Sequence, residues 1–225
     1  MDGVIGQTNS VFLKQLIDYN KVLVQRNSLL KFFSINNTFD LNTIDIYNKQ
    51  LVEKSKLIFQ KRKEFMEDFI PVFKKHYKYI SEKNENVSLN YESHLFNESH
   101  ISLLEKSIEK DRILQYTSSG IHKDDINFFL EKNPIKKFGS QGQQKTFLIA
   151  LKLAQFEFLK NHTGQSPILL LDDAFDKLDQ NRVTKIISLV DKNDFGQIFI
   201  TDTHQDRTLK ALKKLKSSYE IHKLI

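Results

Sequence analysis

The stretch Ile168-Leu169-Leu170-Leu171-Asp172-Asp173 constrains the fold of this chain more than any other. Four consecutive apolar residues predict a strand buried on both faces, the environment of a parallel sheet. Parallel strands need long crossover connections, usually helices. The flanking sequence supplies them: residues 140–160 and 181–190 read as helices, and 197–201 as a second apolar strand. Residues 208–216 read as a further helix and 219–224 as a last short strand. Upstream, 87–91 alternates like a strand, 125–130 reads as a strand and 97–114 looks helical. This alternation predicts an α/β fold with a mainly parallel sheet.

The first third of the chain has a different texture. Residues 8–82 contain few helix breakers. Phe12, Leu16, Tyr19, Leu23, Leu29 and Leu30 recur at helical spacing, with a gap at Arg26. Asn9 or Ser10 can cap this helix. After a polar break at 34–38, a longer pattern runs from 41 to 79, with Ile44, Tyr47, Leu51, Ile58, Phe65, Phe69 and Phe73 near one face. Pro71 is expected to kink or split it. Two long amphipathic helices joined by a short break suggest an antiparallel helical arm over residues 1–84, followed by an α/β portion over 85–225. An ordinary helical bundle is the simpler alternative.

Composition narrows the function. The chain has 225 residues, no cysteine and a formal charge of +6. The absence of cysteine excludes disulfides and thiolate metal sites. No apolar run approaches the roughly 20 residues of a membrane span. The N-terminus has neither the basic nor the apolar region of a signal peptide, so a cytoplasmic protein is expected. Excess Lys and Arg favour polyanionic partners such as nucleic acid. Lys14, Lys21, Arg26, Lys31, Lys61, Arg62 and Lys63 of the arm are candidate DNA contacts, although a solvated helix face explains the same residues.

The chemistry concentrates in residues 138–204. In a parallel sheet the C-terminal strand ends face the ligand crevice. There Asp172 can hold Mg²⁺ through its water shell, as a Walker B aspartate does, and Asp173 can orient or deprotonate a water. A buried strand that ends at an acidic turn is the bland alternative. Downstream, Ala174-Phe175-Asp176-Lys177-Leu178-Asp179 resembles the D-loop of ABC-type ATPases. Upstream, Ser140-Gln141-Gly142-Gln143-Gln144 precedes a strong helix whose N-terminus suits an anion. It resembles the ABC signature, with Ser-Gln-Gly-Gln-Gln in place of the commoner Ser-Gly-Gly-Gln. The strand 197–201 ends in Thr201, Asp202, Thr203 and His204, where such ATPases carry a γ-phosphate switch. Order and spacing together make the assignment strong. A P-loop is excluded: no Gly-Lys pair occurs anywhere in the chain.

These motifs, with Gly120-Ile121-His122-Lys123-Asp124-Asp125 and the arm stretches Tyr19-Asn20-Lys21-Val22-Leu23, Gln25-Arg26-Asn27-Ser28-Leu29-Leu30-Lys31, Asp45-Ile46-Tyr47, Arg62-Lys63-Glu64-Phe65 and Tyr91-Glu92-Ser93, resemble the RecF family of SMC-like ABC ATPases. Ile121 and Lys123 depart from that family's Gly-Pro-His-Arg-Asp-Asp. The resemblance covers nearly the whole chain. It implies a longer protein whose N-terminal lobe carries Walker A, so a fragment unable to bind ATP alone is expected. It further implies Mg²⁺ at Asp172, a catalytic carboxylate at Asp173, and contact of Ser140, Gln141, Gly142 and Gln143 with ATP held by a second copy. Asp176 and Asp179 would line the seam of an ATP-dependent homodimer. The implied function is DNA repair and recombination: binding DNA at single-strand gaps and helping recombinase loading, with the mediator RecR as partner. The alternatives are a non-catalytic DNA-binding or docking module, and a piece of another SMC-like ATPase.

Overall fold

A computed structural model describes residues 1–81, 85–192, 196–203, 205–213 and 218–222. Along these run α1 (Asp2–Thr8), α2 (Ser10–Ile35), α3 (Leu41–Ser81), β1 (Val87–Glu92), α4 (His100–Lys106), α5 (Ile108–Leu114), β2 (Asp125–Leu130), β3 (Asn133–Pro134), α6 (Ile135–Phe138), α7 (Gln141–Thr163), β4 (Leu169–Leu171), α8 (Gln180–Lys192), β5 (Ile198–Ile200) and α9 (Gln205–Leu212). Contacts group them into two compact units, one of Met1–Asp68 with Leu89–Asn127, the other of Phe69–Ser88 with Phe128–Ile225. The fold is mixed α/β, mostly helical, with a small parallel sheet. Among the described residues no helix is long and apolar enough to cross a membrane.

In the first unit, the Asn9 side chain caps α2 by accepting from the Phe12 amide at 2.9 Å. The buried stripe of α2 is Phe12, Tyr19, Val22, Arg26, Leu30 and Phe33. The gap at Arg26 is therefore no gap: Arg26 keeps the helical phase and is itself fully buried. Leu30 and Phe33 pack on Ile44, and Arg26 Nε donates to Asn48 Oδ1 at 2.8 Å. Contacts thus recede from the 36–40 turn along both helices, as in a helical hairpin. Pro71 does not end α3, which continues through it to Ser81. Pro71 is exposed, so water can satisfy the carbonyl its missing N–H leaves without a donor.

The inward face of α3 alternates apolar and polar anchors. Ile44, Leu51, Ile58 and Phe65 are buried, and so are Asn48, Ser55 and Arg62 between them. Each set repeats every seven residues, the spacing that keeps side chains on one seam of a helix. Every polar member holds a different segment. Asn48 accepts from Arg26, whose Nη1 donates to Asp111 Oδ2 and Thr117 Oγ1, both at 2.8 Å. Ser55 Oγ pairs with His100 Nδ1 at 2.8 Å. Arg62 donates to both carboxylate oxygens of Asp2, to the Ile121 carbonyl and to Asp124 Oδ2. This removes Arg26 and Arg62 from the candidate DNA contacts: their charge is spent inside the unit. Lys14, Lys21 and Lys31 are exposed. Lys61 reaches Glu64 at 2.7 Å, and Lys63 lies 5.9 Å above the Phe59 ring.

The 120–125 motif also serves this core. Gly120 has φ +128°, and a Cβ there would lie 2.6 Å from His100 Nε2 and 3.1 Å from the Tyr19 hydroxyl, so only glycine fits. His122 Nε2 donates to the Thr117 carbonyl at 2.9 Å, which leaves Nδ1 to accept from the Tyr19 hydroxyl at 3.0 Å. Burial pushes the His122 pKa down and that of His100 down to about 4.

In the second unit, Phe73 and Tyr77 of α3 and Phe128 of β2 surround Phe147 of α7, at ring separations of 4.6, 5.9 and 5.7 Å. The strands form two sheets, β1-β2-β3 and β4-β5. The parallel expectation holds for β4 and β5, paired Leu169 to Ile198, Leu170 to Phe199 and Leu171 to Ile200. It fails for β2 and β3, an antiparallel hairpin with Leu130 opposite Asn133. Burial of 168–171 on both faces is also corrected. Leu169 and Leu171 are buried, but Leu170 is 66% and Ile168 59% exposed, because only one face of β4 packs against this chain. The helix expected over 97–114 is two short helices joined at Ser107, preceded by a 3₁₀ turn at His94–Phe96. Residues 219–222 form no strand, and 223–225 lie outside the described residues.

Two stability predictions follow from the first unit's polar core. Arg26→Met leaves Asp111 buried without its cation and is expected to cost about 3–5 kcal/mol in urea unfolding; a cost below about 1 kcal/mol would contradict the buried pair. His100 binds its proton less readily folded, at about 4, than unfolded, near 6.5. The unfolded state therefore holds more protons between those values, and stability drops as pH falls from about 6.5 to 4. His100→Gln is expected to flatten this part of the profile, measured by denaturant unfolding across that range.

Candidate active site

The parallel register of β4 and β5 brings their C-terminal ends together. Thr201 N–H donates to the Leu171 carbonyl at 3.0 Å, and the Ala174 amide donates to the Thr201 carbonyl at 3.1 Å. Between these bonds lies the Thr201 hydroxyl. It donates to Asp172 Oδ1 at 2.6 Å and accepts from the Asp173 amide at 2.8 Å. Asp173 adopts a left-handed conformation, φ 46°, and both carboxylates are exposed. A residue from the next strand thus fixes one carboxylate and the backbone of the other. Asp202, beside it, accepts from the Thr208 hydroxyl of α9. Thr203 is exposed. His204 lies outside the described residues.

The loop after β4 turns back on itself. The Asp176 amide donates to the Asp173 carbonyl at 3.4 Å and that of Leu178 to Phe175 at 3.2 Å. Lys177 is left-handed, φ 60°. Phe175 and Leu178 are buried beneath this loop, while Asp179 is exposed and Asp176 half-buried. Asp179 starts α8 by accepting from the Arg182 amide at 2.9 Å. Asp176 has Lys177 Nζ at 3.7 Å.

The start of α7 rests on this loop. Ser140 and Gln143 form a capping box: the Gln143 amide donates to Ser140 Oγ at 3.2 Å, and the Ser140 amide donates to Gln143 Oε1 at 2.8 Å. Gln144 Nε2 donates to the Gly139 carbonyl at 2.8 Å and tightens the preceding turn. A Cβ on Gly142 would lie 3.1 Å from the Lys177 carbonyl and 3.2 Å from Arg182 Nη1, so glycine permits this close approach. Arg182 also donates to Thr146 Oγ1 at 3.2 Å, and Thr146 donates to the Gly142 carbonyl at 2.7 Å. Gln141 is exposed at the helix start, among the first amides that an α-helix leaves without internal partners.

Two residues the sequence did not single out complete the frame. Arg182 ties α8 to α7; its position three residues after Asp179, in the first turn of a helix, was the available signal. Glu85 accepts from Gln143 Nε2 at 3.0 Å and from the Tyr77 hydroxyl at 2.7 Å. Burial, and then the bond to Glu85, push the Tyr77 phenol above its ordinary range. Among the described residues no cluster of three or more His, Asp or Glu side chains could hold a metal ion by itself. An exposed carboxylate such as that of Asp172 instead suits Mg²⁺, which keeps several waters and takes one or two carboxylates with substrate phosphates.

A strand ending in a fixed carboxylate pair, a tight acidic loop and a capped helix start resting on that loop form one constellation in a mixed α/β fold. No protein-family model matches the chain. It is 58% identical over its whole length to the DNA replication and repair protein RecF of Flavobacterium johnsoniae, covering 62% of that protein. It is 46% identical to that of Bacteroides thetaiotaomicron, covering 60%. Two solved structures of the recombination mediator RecF of the RecFOR pathway, with ATPrS and with ATP, superpose with TM-scores of 0.78 and 0.77 at 28% and 29% identity, over 91% of this chain. The chain belongs to the RecF family and spans about 60% of the length of the curated relatives it matches.

Ser140 is both cap and exposed rim of this site. Ser140→Ala is expected to destabilise the protein by about 1 kcal/mol and Ser140→Asp to leave it nearly unchanged, since both Ser and Asp cap well. Urea unfolding measures this; equal stability of the alanine variant would contradict the cap.

Proposed function

We propose that this chain is the part of a DNA-repair and recombination ATPase that supplies Mg²⁺ coordination to its own nucleotide and the signature to a partner's. The observation that carries the reading is the Asp172–Asp173–Thr201 constellation followed by a loop on which the capped start of α7 rests, in a chain 58% identical to a RecF protein. Asp172 holds Mg²⁺ and Asp173 orients the attacking water. Ser140, Gln141, Gly142 and Gln143 present hydroxyl and amide donors to the γ-phosphate of ATP bound by a second copy. Asp176 and Asp179 line the seam between the copies. The γ-phosphate switch is one of Asp202, Thr203, His204 and Thr201, whose hydroxyl also holds Asp172. By role rather than packing, residues 1–84 serve as the arm and 85–225 as part of the head.

ATP then acts as a glue between two heads, and the closed homodimer grips double-stranded DNA beside single-stranded gaps. Hydrolysis releases it. The mediator RecR is the protein partner, and the cytoplasm the compartment. Exposed Lys14, Lys21 and Lys31 on α2, with Lys61 and Lys63 on α3, are the remaining basic candidates for DNA contact. A second reading, a DNA-binding or docking module without catalysis, is favoured by one observation: the chain contains no Gly-Lys pair and so no phosphate-gripping P-loop. Both hold if this stretch acts only when joined to such a loop.

In a protein of the relatives' full length, Mg²⁺-dependent ATP hydrolysis is expected, and Asp172→Ala is expected to reduce it at least about 100-fold, as loss of a key electrostatic group does. A steady-state phosphate-release assay measures it. Hydrolysis unaffected by Asp172→Ala would remove the metal role.

A further inference from the structure

We propose that Glu85 is a positioning residue for the signature, linking the C-terminal end of α3 to the first turn of α7; this rests on reading Ser140–Gln143 as the nucleotide-contacting turn. Four groups form one continuous relay. The Tyr77 hydroxyl of α3 donates to Glu85 Oε2 at 2.7 Å. Glu85 Oε1 accepts from Gln143 Nε2 at 3.0 Å. The other end of the same carboxamide, Gln143 Oε1, accepts from the Ser140 amide at 2.8 Å. The Gln143 amide closes the ring by donating to Ser140 Oγ at 3.2 Å.

The relay specifies both ends of the Gln143 carboxamide. A glutamine carboxamide can present oxygen or nitrogen in either direction. The Ser140 amide only donates and a carboxylate at Glu85 only accepts, so the two partners select the same orientation, with nitrogen facing Glu85 and oxygen facing Ser140. That orientation is the one that caps Ser140. Tyr77 holds Glu85 in turn. It is fully buried, with its ring against Phe73 and Phe147, so its hydroxyl is a fixed donor. Glu85 itself borders a cavity of about 570 Å³, lined also by Lys74, Lys78, Asn86 and Glu131. Water can therefore occupy the space of a shortened side chain, and truncation there does not empty the core.

Glu85 is thus the point at which a disturbance of the end of α3 reaches the Ser140 hydroxyl and amide. Losing it frees the Gln143 side chain and loosens the cap, while the Phe73, Tyr77 and Phe147 packing stays.

The test uses this chain without nucleotide, by NMR. Glu85→Ala is expected to free the Gln143 side-chain nitrogen, dropping its order parameter from a rigid value near 0.85 to below about 0.6. The same variant is expected to accelerate Ser140 amide exchange roughly tenfold, the effect of losing one ordinary hydrogen bond. Exchange in the middle of α7, at Ile149–Leu153, is expected to stay unchanged. Glu85→Gln can still accept from Gln143 and can donate to the Tyr77 oxygen, so it is expected to restore both readings to within about twofold. Unchanged Gln143 order in Glu85→Ala overturns the proposal. So does a uniform acceleration along α7, which marks a merely structural role, and so does a Glu85→Gln variant as loose as the alanine. No nucleotide is involved, so failure here is distinct from failure of the signature reading, which shows only in the activity of the full-length protein.

Discussion

The side-by-side pairing of β4 and β5, in parallel and in register, is the constraint on which the candidate site depends. It sets Leu171 opposite Ile200, and one residue further along both strands run out together. At that point backbone bonding gives way to a side chain: the Thr201 hydroxyl bridges Asp172 and the Asp173 amide. A slip of one residue would turn Thr201 to the other face and separate the three groups. Two exposed carboxylates on adjacent residues repel, and the Thr201 hydroxyl that donates to Asp172 offsets part of that cost. The strand pair is therefore what joins Asp172, proposed to bind metal, and Asp173, proposed to orient water, into a single constellation.

The second half of the site is held by close packing. The small side of α7 at Gly142 lies on the Lys177 carbonyl, and Arg182 spans from Asp179 to Thr146. The acidic loop and the helix start are thereby tied together. This matters for a protein whose nucleotide would be gripped by two copies, because the loop would face the seam while the helix start would face the partner's phosphate. Fixed registration of these two elements would set the geometry of both sites of the proposed symmetric dimer at once.

Legibility in the sequence followed locality. The carboxylate pair, the acidic loop and the capped helix start each lie within a few consecutive residues, and their chemistry is visible there. Arg26 and Arg62 were misread because a basic residue on a helix looks solvated when seen alone. The phase of the helix held the answer: Arg26 sits where the stripe of Tyr19, Val22 and Leu30 requires a buried side chain, and Arg62 sits seven residues beyond Ser55. Their partners, Asp111 and Asp124, are distant in sequence and could not be paired without the fold. The β2–β3 hairpin escaped because its two-residue link, Glu131-Lys132, lacks the glycine or asparagine that marks such turns, although Glu131 adopts the left-handed conformation they favour. Apolar run length could not say that Ile168 and Leu170 point away from the packed face. Glu85 had no signature at all, since a lone carboxylate after a helix fits any loop.

The central claim is that the two halves of this chain's motif set serve different nucleotides, Asp172 in cis and Ser140 in trans. Its most direct test is complementation between two full-length variants, Ser140→Arg and Asp172→Ala, each inactive alone. In a mixed dimer one site would combine an intact Asp172 with the partner's intact Ser140, and the other site would carry both lesions. An equal mixture would place half the dimers in this state with one working site of two, giving roughly a quarter of the unmodified ATPase activity. Recovery at that level, rising from near zero as the variants are mixed, is the result this account predicts. A mixture no more active than its separate components would contradict it.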